Sequence, residues 1–287
     1  MAKGRELKGR IKTTENTRKI TRTMEMVATA KMKRAVDRVT AARPYANALG
    51  EVLASLYSPD LAERFPLLRQ PERERRAAVI LMTADRGLCG GFNSNLIREA
   101  RQLLARLRAA GVDVDLHVEG RRGAGYFRYV GESLSSVKTG ISEKPTADDA
   151  REIIDDIIRR FVSGELDAVY VVYAQFRSAL TTPPTTSRIL PVAPPSRKGG
   201  VAPDYILAPS AEAILSDLLP LYVRNQVYRA LVETSAGEQG ARRTAMKSAT
   251  DNAGEMLNLL RRTYNRTRQA AITQEIAEIV GGAAALE

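Results

Sequence analysis

The chain has 287 residues, with 44 Lys+Arg against 33 Asp+Glu, one Cys, one His and no Trp. Single Cys89 and His117 exclude a disulfide framework and a Cys/His metal cluster, and 44% hydrophobic content excludes general disorder. The longest apolar runs, AAVILM and AVYVVYA, are strand-sized, far short of the ~20 residues of a membrane span.

The net charge of +11 is uneven. Residues 1–56 carry +8, residues 57–208 carry +3, and residues 209–287 are neutral. The excess on the first segment points to an acidic partner there: nucleic acid, anionic lipid or acidic protein. The opening stretch MAKGRELKGRIKTTENTRK contains Glu6 and Glu15 and runs straight into a helical pattern, so it reads as mature protein and not as a transit peptide.

From Ala28 the small and apolar positions step 4 and 3 alternately: Ala28, Met32, Ala35, Val39, Ala42, Ala46, Leu49, Leu53, Leu56. That is the seam of a coiled coil. Leu7, Ile11, Ile20 and Met24 extend it upstream, and Pro44 predicts a kink without ending the helix.

The middle changes period. AAVILMT (77–83) is a short buried strand running into a Gly-rich turn, and residues 93–111 are a helix with an Asn/Ser start and a Gly stop. VDVDLHV (112–118) alternates like a strand, with His117 as a structural residue. The stretch 120–129, GRRGAGYFRY, reads as a surface hairpin or loop, with RNA contact as the weaker option. Residues 146–162 form an amphipathic helix with acids in its first turn. DAVYVVYAQF (167–176) is a buried strand, and TTPPTTSRILPV (181–192) is Pro-rich and then extended. The alternation predicts a small α/β domain with partly parallel pairing. Stretches 57–76 and 193–210 read as Pro-bearing linkers.

The last segment returns to heptads: Met246, Ala249, Ala253, Met256, Leu260, Thr263, Thr267, Ala270. SAGEQGA (235–241) contains two glycines that would loosen the helix before it. At ~1.5 Å per residue the two terminal helices would be roughly 80 and 110 Å long, too long for a compact domain. Each must bury one stripe, and the other is the nearest partner. The expectation is three parts: an N-terminal coiled-coil helix (1–56), a central α/β domain with linkers (57–208) and a C-terminal coiled-coil helix (209–287). The fold class is therefore mixed: a long antiparallel coiled coil of terminal helices plus a small Rossmann-like α/β domain. The chain finishes on AAITQEIAEIVGGAAALE (270–287), without Lys or Arg, as though built to be enclosed.

Catalytic patterns are weak. TADRGLCGGFNSN (83–95) sits where a phosphate loop would, but it lacks both the Walker lysine and the G-x-G-x-x-G spacing. It reads as a structural strand-to-helix turn, in which Asp85 and Arg86 could pair. Cys89 reads as a small buried residue. Asp155 and Asp156 are adjacent on a helix, so they diverge onto a solvated face. One His with no nucleophile motif supports no triad. No catalytic, cofactor or metal residue is expected.

Three stretches carry a likeness: NTRKITRTMEMVATAKMKRA (16–35), DRGLCGGFNSNL (85–96) and ATDNAGEMLNLLRRTYNRTRQAAITQEIAEIVGGAAAL (249–286). The last contains Ile272, Thr273, Glu275, Glu278, Gly282 and Ala283, matching a C-terminal signature. Through them the sequence resembles the gamma subunit of F-type ATP synthases, of the bacterial type without the chloroplast regulatory cysteine pair. The resemblance implies a non-catalytic rotor shaft: terminal helices inside a ring of alpha and beta subunits, and an α/β domain meeting the epsilon subunit and the polar loops of the c-ring. It implies a peripheral position on the cytoplasmic face of the cell membrane, with no membrane insertion and no nucleic acid. Lys19, Arg22, Met24, Arg266, Arg268, Gln269 and Thr273 are the implied contact zone with the ring, and Tyr205 the foot on the c-ring. The alternative from charge alone is a basic coiled-coil nucleic-acid-binding protein. A small nucleotide-binding enzyme using residues 83–95 is a third reading.

Overall fold

The computed structural model describes residues 2–56, 64–193 and 210–284. Among these residues eleven elements follow one another: α1 (Ala2–Leu56), a 3-10 turn (Pro66–Leu68), β1 (Arg76–Met82), α2 (Phe92–Ala109), β2 (Asp113–Glu119), α3 (Arg121–Tyr129), β3 (Ser136–Lys138), α4 (Ala147–Val162), β4 (Ala168–Ala174), β5 (Pro184–Leu190) and α5 (Ala211–Ala284). The chain forms two compact units, one of Met1–Ala28 with Arg242–Glu287 and one of Thr29–Ala241, so α1 and α5 each contribute to both.

In the larger unit the sheet order is β3-β2-β1-β4-β5. β1 pairs in parallel with β2 and β4, β2 pairs in parallel with β3, and β5 closes the edge antiparallel to β4. β1 is covered on both faces, which is why it reads as an unbroken apolar run and not as an alternation. Ala77, Val79 and Leu81 face α2 and α3. Ala78, Ile80 and Met82 face α4 and the segments Leu53–Leu56 of α1 and Leu215–Leu231 of α5. A small patch, Ala35 and Val39 against Val232 and Ala236, joins the two long helices within this unit.

α4 begins as its sequence predicts. Thr146 accepts a hydrogen bond from Asp149 N and Asp149 reaches back to Thr146 N, a reciprocal cap. The reading of 120–129 as a hairpin or loop is corrected: it is the helix α3. Gly120 and Gly123 are packing requirements, not breaks, whereas Gly125 has open space beside it. Gly120 takes φ +98°, and a Cβ on it would stand 2.2 Å from Thr83 O; one on Gly123 would stand 2.9 Å from Thr83 Oγ1. Only glycine lets this short helix lie so close to the end of β1. Ala124 and Phe127, buried on its inner face, are the signal that pattern reading passed over.

Pro44 lies inside α1, which continues to Leu56. Asp155 is not on a free solvated face: it accepts from Arg224 Nε at 2.7 Å and Arg151 Nε at 3.4 Å, tying α4 to α5. Asp85 does not turn to Arg86; it accepts from Arg121 N, Gly140 N and Ser142 Oγ.

In the smaller unit the two helix segments run antiparallel. Thr21 lies opposite Thr250 with their hydroxyl oxygens 2.8 Å apart, and Glu15 lies opposite Arg261 at 3.9 Å. Going down α1 therefore goes up α5. The seam differs from the sequence reading by one position in places. Ile20 is 60% exposed and Thr21 is turned inward instead. On α5, Met256 is 56% exposed and Leu257, at 2%, takes the buried place. The inward series Met246, Thr250, Ala253, Leu257, Leu260 keeps the 4-3 step, with polar Thr250 standing where an apolar search prefers Ala249.

Candidate functional site

The fold would normally offer a ligand site at the carboxyl ends of its parallel strands, in the crevice where the chain turns to opposite sides of the sheet. Here β1 is that strand, with β2 on one side and β4 on the other. The crevice is filled by α5. Every residue from Ala230 to Gly240 is buried. Thr234 Oγ1 accepts from Ala174 N at 3.3 Å, and Glu233 Oε2 accepts from Phe176 N at 3.1 Å, so the end of β4 is capped by helix side chains.

The predicted loosening at 235–241 is corrected by the same contacts: α5 is continuous there. A Cβ on Gly237 would stand 3.2 Å from the Phe92 ring and 3.3 Å from Ala174 Cβ, and one on Gly240 only 2.9 Å from Ala179 O. The glycines are where the helix slides into the mouth of the sheet. The helix-propensity cost of about 1 kcal/mol each is offset by that close approach.

The Gly-rich turn after β1 is itself internally tied. Ala84 N donates to Asn93 Oδ1 at 2.9 Å, and the Arg122 guanidinium lies over Gly87, 2.6 Å from where a Cβ would be. Cys89 is buried beneath it, with Asn93 Nδ2 3.2 Å from its sulfur. The turn holds Leu88 exposed at φ +63°. This is a structural turn of the kind the sequence predicts.

β2 carries a row of polar residues. Asp115 loses water on burial, yet hydrogen bonds from Arg160 and Arg76 hold its carboxyl below the usual range. Burial pushes His117 down, and its Nδ1 lies 2.8 Å from Ser136 Oγ. Glu119 is 2% exposed, and neither carboxylate oxygen has a hydrogen-bond partner. Burial lifts it to about 7, with Asp85 and Asp149 adding to the rise and Lys138 opposing it.

Of the residues implied as contact positions, the structure places all but Tyr205, which lies outside the described residues. Lys19, Arg22, Arg266, Arg268, Gln269 and Thr273 are exposed, and Met24 is half-buried. Thr273 Oγ1 donates back to Gln269 O at 3.0 Å, a local helix bond that leaves both side chains on the surface. The structure does not gather them at one level. Met24 stands beside the Thr21–Thr250 contact, whereas Gln269 is nineteen residues further along α5, roughly 28 Å away along the axis. They stand at two separate levels along the paired helices. Beyond them, residues 272–281 are exposed on every side, with Ile272, Ile276, Ile279 and Val280 uncovered.

Paired terminal helices, and an α/β domain whose ligand crevice is spent on gripping one of them, define a structural subunit. Comparison with known proteins agrees. The family model described as ATP synthase matches residues 3–286. The ATP synthase gamma chain of Gemmatimonas aurantiaca is 65% identical, covering 100% of both chains, and that of Leptospira biflexa is 42% identical, also covering 100% of both. Among solved structures, a chain of the central stalk and c-ring structure of the Tetrahymena thermophila mitochondrial ATP synthase is 26% identical with TM-score 0.63, covering 80% of this chain and 99% of its own length. A chain of the Euglena gracilis enzyme shares the fold at 17% identity and TM-score 0.69, covering 99% and 95%.

The chain belongs to the ATP synthase family, and within it to the gamma-chain branch. Its role is that of the central stalk, a non-catalytic component of the complex. The nucleic-acid alternative finds no support. No helix among the described residues is long and apolar enough to cross a membrane, in keeping with a peripheral place in a membrane-associated complex.

Proposed function

We propose that the paired helices work as the rotor shaft of an F-type ATP synthase, carrying ion-driven rotation of the membrane ring to the catalytic beta subunits. The shaft does no chemistry. It presents different faces to successive beta subunits, and each face favours a different beta conformation through differential contact. The observation that carries the reading is the exposed apolar end of α5. Ile272, Ile276, Ile279 and Val280 have no cover among the described residues, and no Lys or Arg occurs from residue 270 onward. A collar of alpha and beta subunits is the proposed cover, because a turning end must fit without strong directional charge pairs.

Lys19, Arg22 and Met24 form one contact level with acidic loops of the ring, and Arg266, Arg268, Gln269 and Thr273 the other. The α/β domain meets the epsilon subunit and the polar loops of the c-ring, with Tyr205 as the foot, on the cytoplasmic face of the membrane. Reconstitution tests the reading: the chain is expected to co-purify with alpha and beta subunits and to support their ATPase activity. Failure to do either overturns it. Removing the last few residues is expected to impair ATP-driven proton pumping less than Gln269→Glu, since the end needs fit while the level below it needs particular contacts. Equal loss in the two variants contradicts that division.

A further inference from the structure

Within the larger unit a cavity of about 360 Å³ is lined by Arg43, Ala46 and Asn47 of α1, Gln175, Phe176 and Arg177 after β4, and Arg229 and Glu233 of α5. Its volume lies at the small end of the range of ligand sites, about 300–1,000 Å³. Three arginines line it against one glutamate. That carboxylate is already committed: Glu233 accepts from Arg229 Nε at 2.7 Å and from Phe176 N at 3.1 Å, with its side chain 1% exposed. Arg177 Nε donates only to the neutral Gln175 Oε1 at 3.1 Å. Arg43 has no hydrogen-bond or ion-pair partner among the described residues. Two positive charges are thus left unbalanced in one concave site, together with the Asn47 amide.

Like charges gathered in a pocket repel unless an anion lies between them. Guanidinium forks match the paired oxygens of a tetrahedral oxyanion. We propose that this cavity binds a multiply charged oxyanion of the phosphate class, bridging α1, α5 and the chain after β4. The phosphoryl group either is free or belongs to a larger molecule. The site is independent of the rotor reading, because it needs only this chain.

The test is thermal melting of the full chain at constant ionic strength, with inorganic phosphate and phenyl phosphate as separate probes and sodium chloride as control. Phosphate is expected to raise Tm saturably while chloride does not. The double variant Arg43→Gln/Arg177→Gln alters two exposed side chains outside the core, and is expected to weaken half-saturation at least ten-fold. Arg43→Gln alone serves as a milder second variant with a smaller shift in the same direction. A response to phenyl phosphate equal to that of phosphate assigns a phosphoryl ester; a response to phosphate alone assigns the free ion. A phosphate effect matched by chloride, or unchanged in both variants, overturns the proposal.

Discussion

Two stretches of the same helix behave in opposite ways. From Ala230 to Gly240 α5 is buried on every side, although it includes Glu233, Thr234, Ser235, Glu238 and Gln239. From Ile272 to Gly281 it is exposed on every side, although it includes three isoleucines and a valine. Hydrophobicity predicts the reverse order of burial. The polar stretch is enclosed because its side chains satisfy the open backbone groups at the end of β4, and because two glycines let the helix enter the sheet's mouth. The apolar stretch is bare among the described residues, and the proposed collar of partner subunits would supply its cover. One part of the helix is gripped by its own domain; the other, on the proposed reading, is kept for partners.

Breaking the grip is expected to have the largest effect. Glu233→Ala removes the acceptor for Phe176 N and the partner of half-exposed Arg229, at a cost of about 2–3 kcal/mol, read as a lowered denaturant midpoint. A loss under about 0.5 kcal/mol would mean that the capping of β4 does not hold the helix.

A buried carboxylate without partners should act in the opposite sense. Glu119 is raised from 4.5 to about 7, with Lys138, Asp85 and Asp149 as the charged groups around it and His117 on the same strand. Between those values the unfolded chain has released the proton while the folded chain keeps it, so stability falls as pH rises from about 4.5 and levels off above about 7. Glu119→Gln is expected to remove that slope and gain on the order of 2–3 kcal/mol above neutrality, with little change near pH 4. Parallel pH-stability curves for the two proteins would contradict it.

Gly240→Ala sharpens the steric half of the comparison. The new methyl lies 2.9 Å from Ala179 O, so overpacking of about 1–3 kcal/mol outweighs the roughly 1 kcal/mol gained in helix propensity. The smallest effect belongs to the exposed stretch. Ile276→Ala is expected to change the stability of the isolated chain by less than about 0.5 kcal/mol. A large loss there would show that the stretch is covered within the chain after all.

Much of this was legible before any coordinates. The 4-3 step from Ala28 to Leu56, the buried strands and the Thr146 start of α4 all follow from period and capping chemistry. The phase of α5 after Met246 was less so, because Thr250 hides the seam and Met256 offers a false one. The helix α3 was obscured by Gly123 and Gly125, which read as flexibility when the partner surface is unknown. The filling of the crevice could not be seen at all: Thr234 and Ala174 are sixty residues apart, and nothing local in either marks the contact. The proposed contact positions came from family resemblance. Their separation into two levels follows from the antiparallel register, which depends on pairing both ends of the chain.

The central claim is that the two terminal helices turn as one body. Thr21→Cys/Thr250→Cys places two thiols at the 2.8 Å hydroxyl contact, while Cys89 is buried. In the reconstituted synthase, the oxidised cross-link is expected to leave ATP-driven proton pumping close to the level of the reduced protein. Pumping abolished on oxidation and restored by reduction would mean that the helices must move against each other, and would contradict the account.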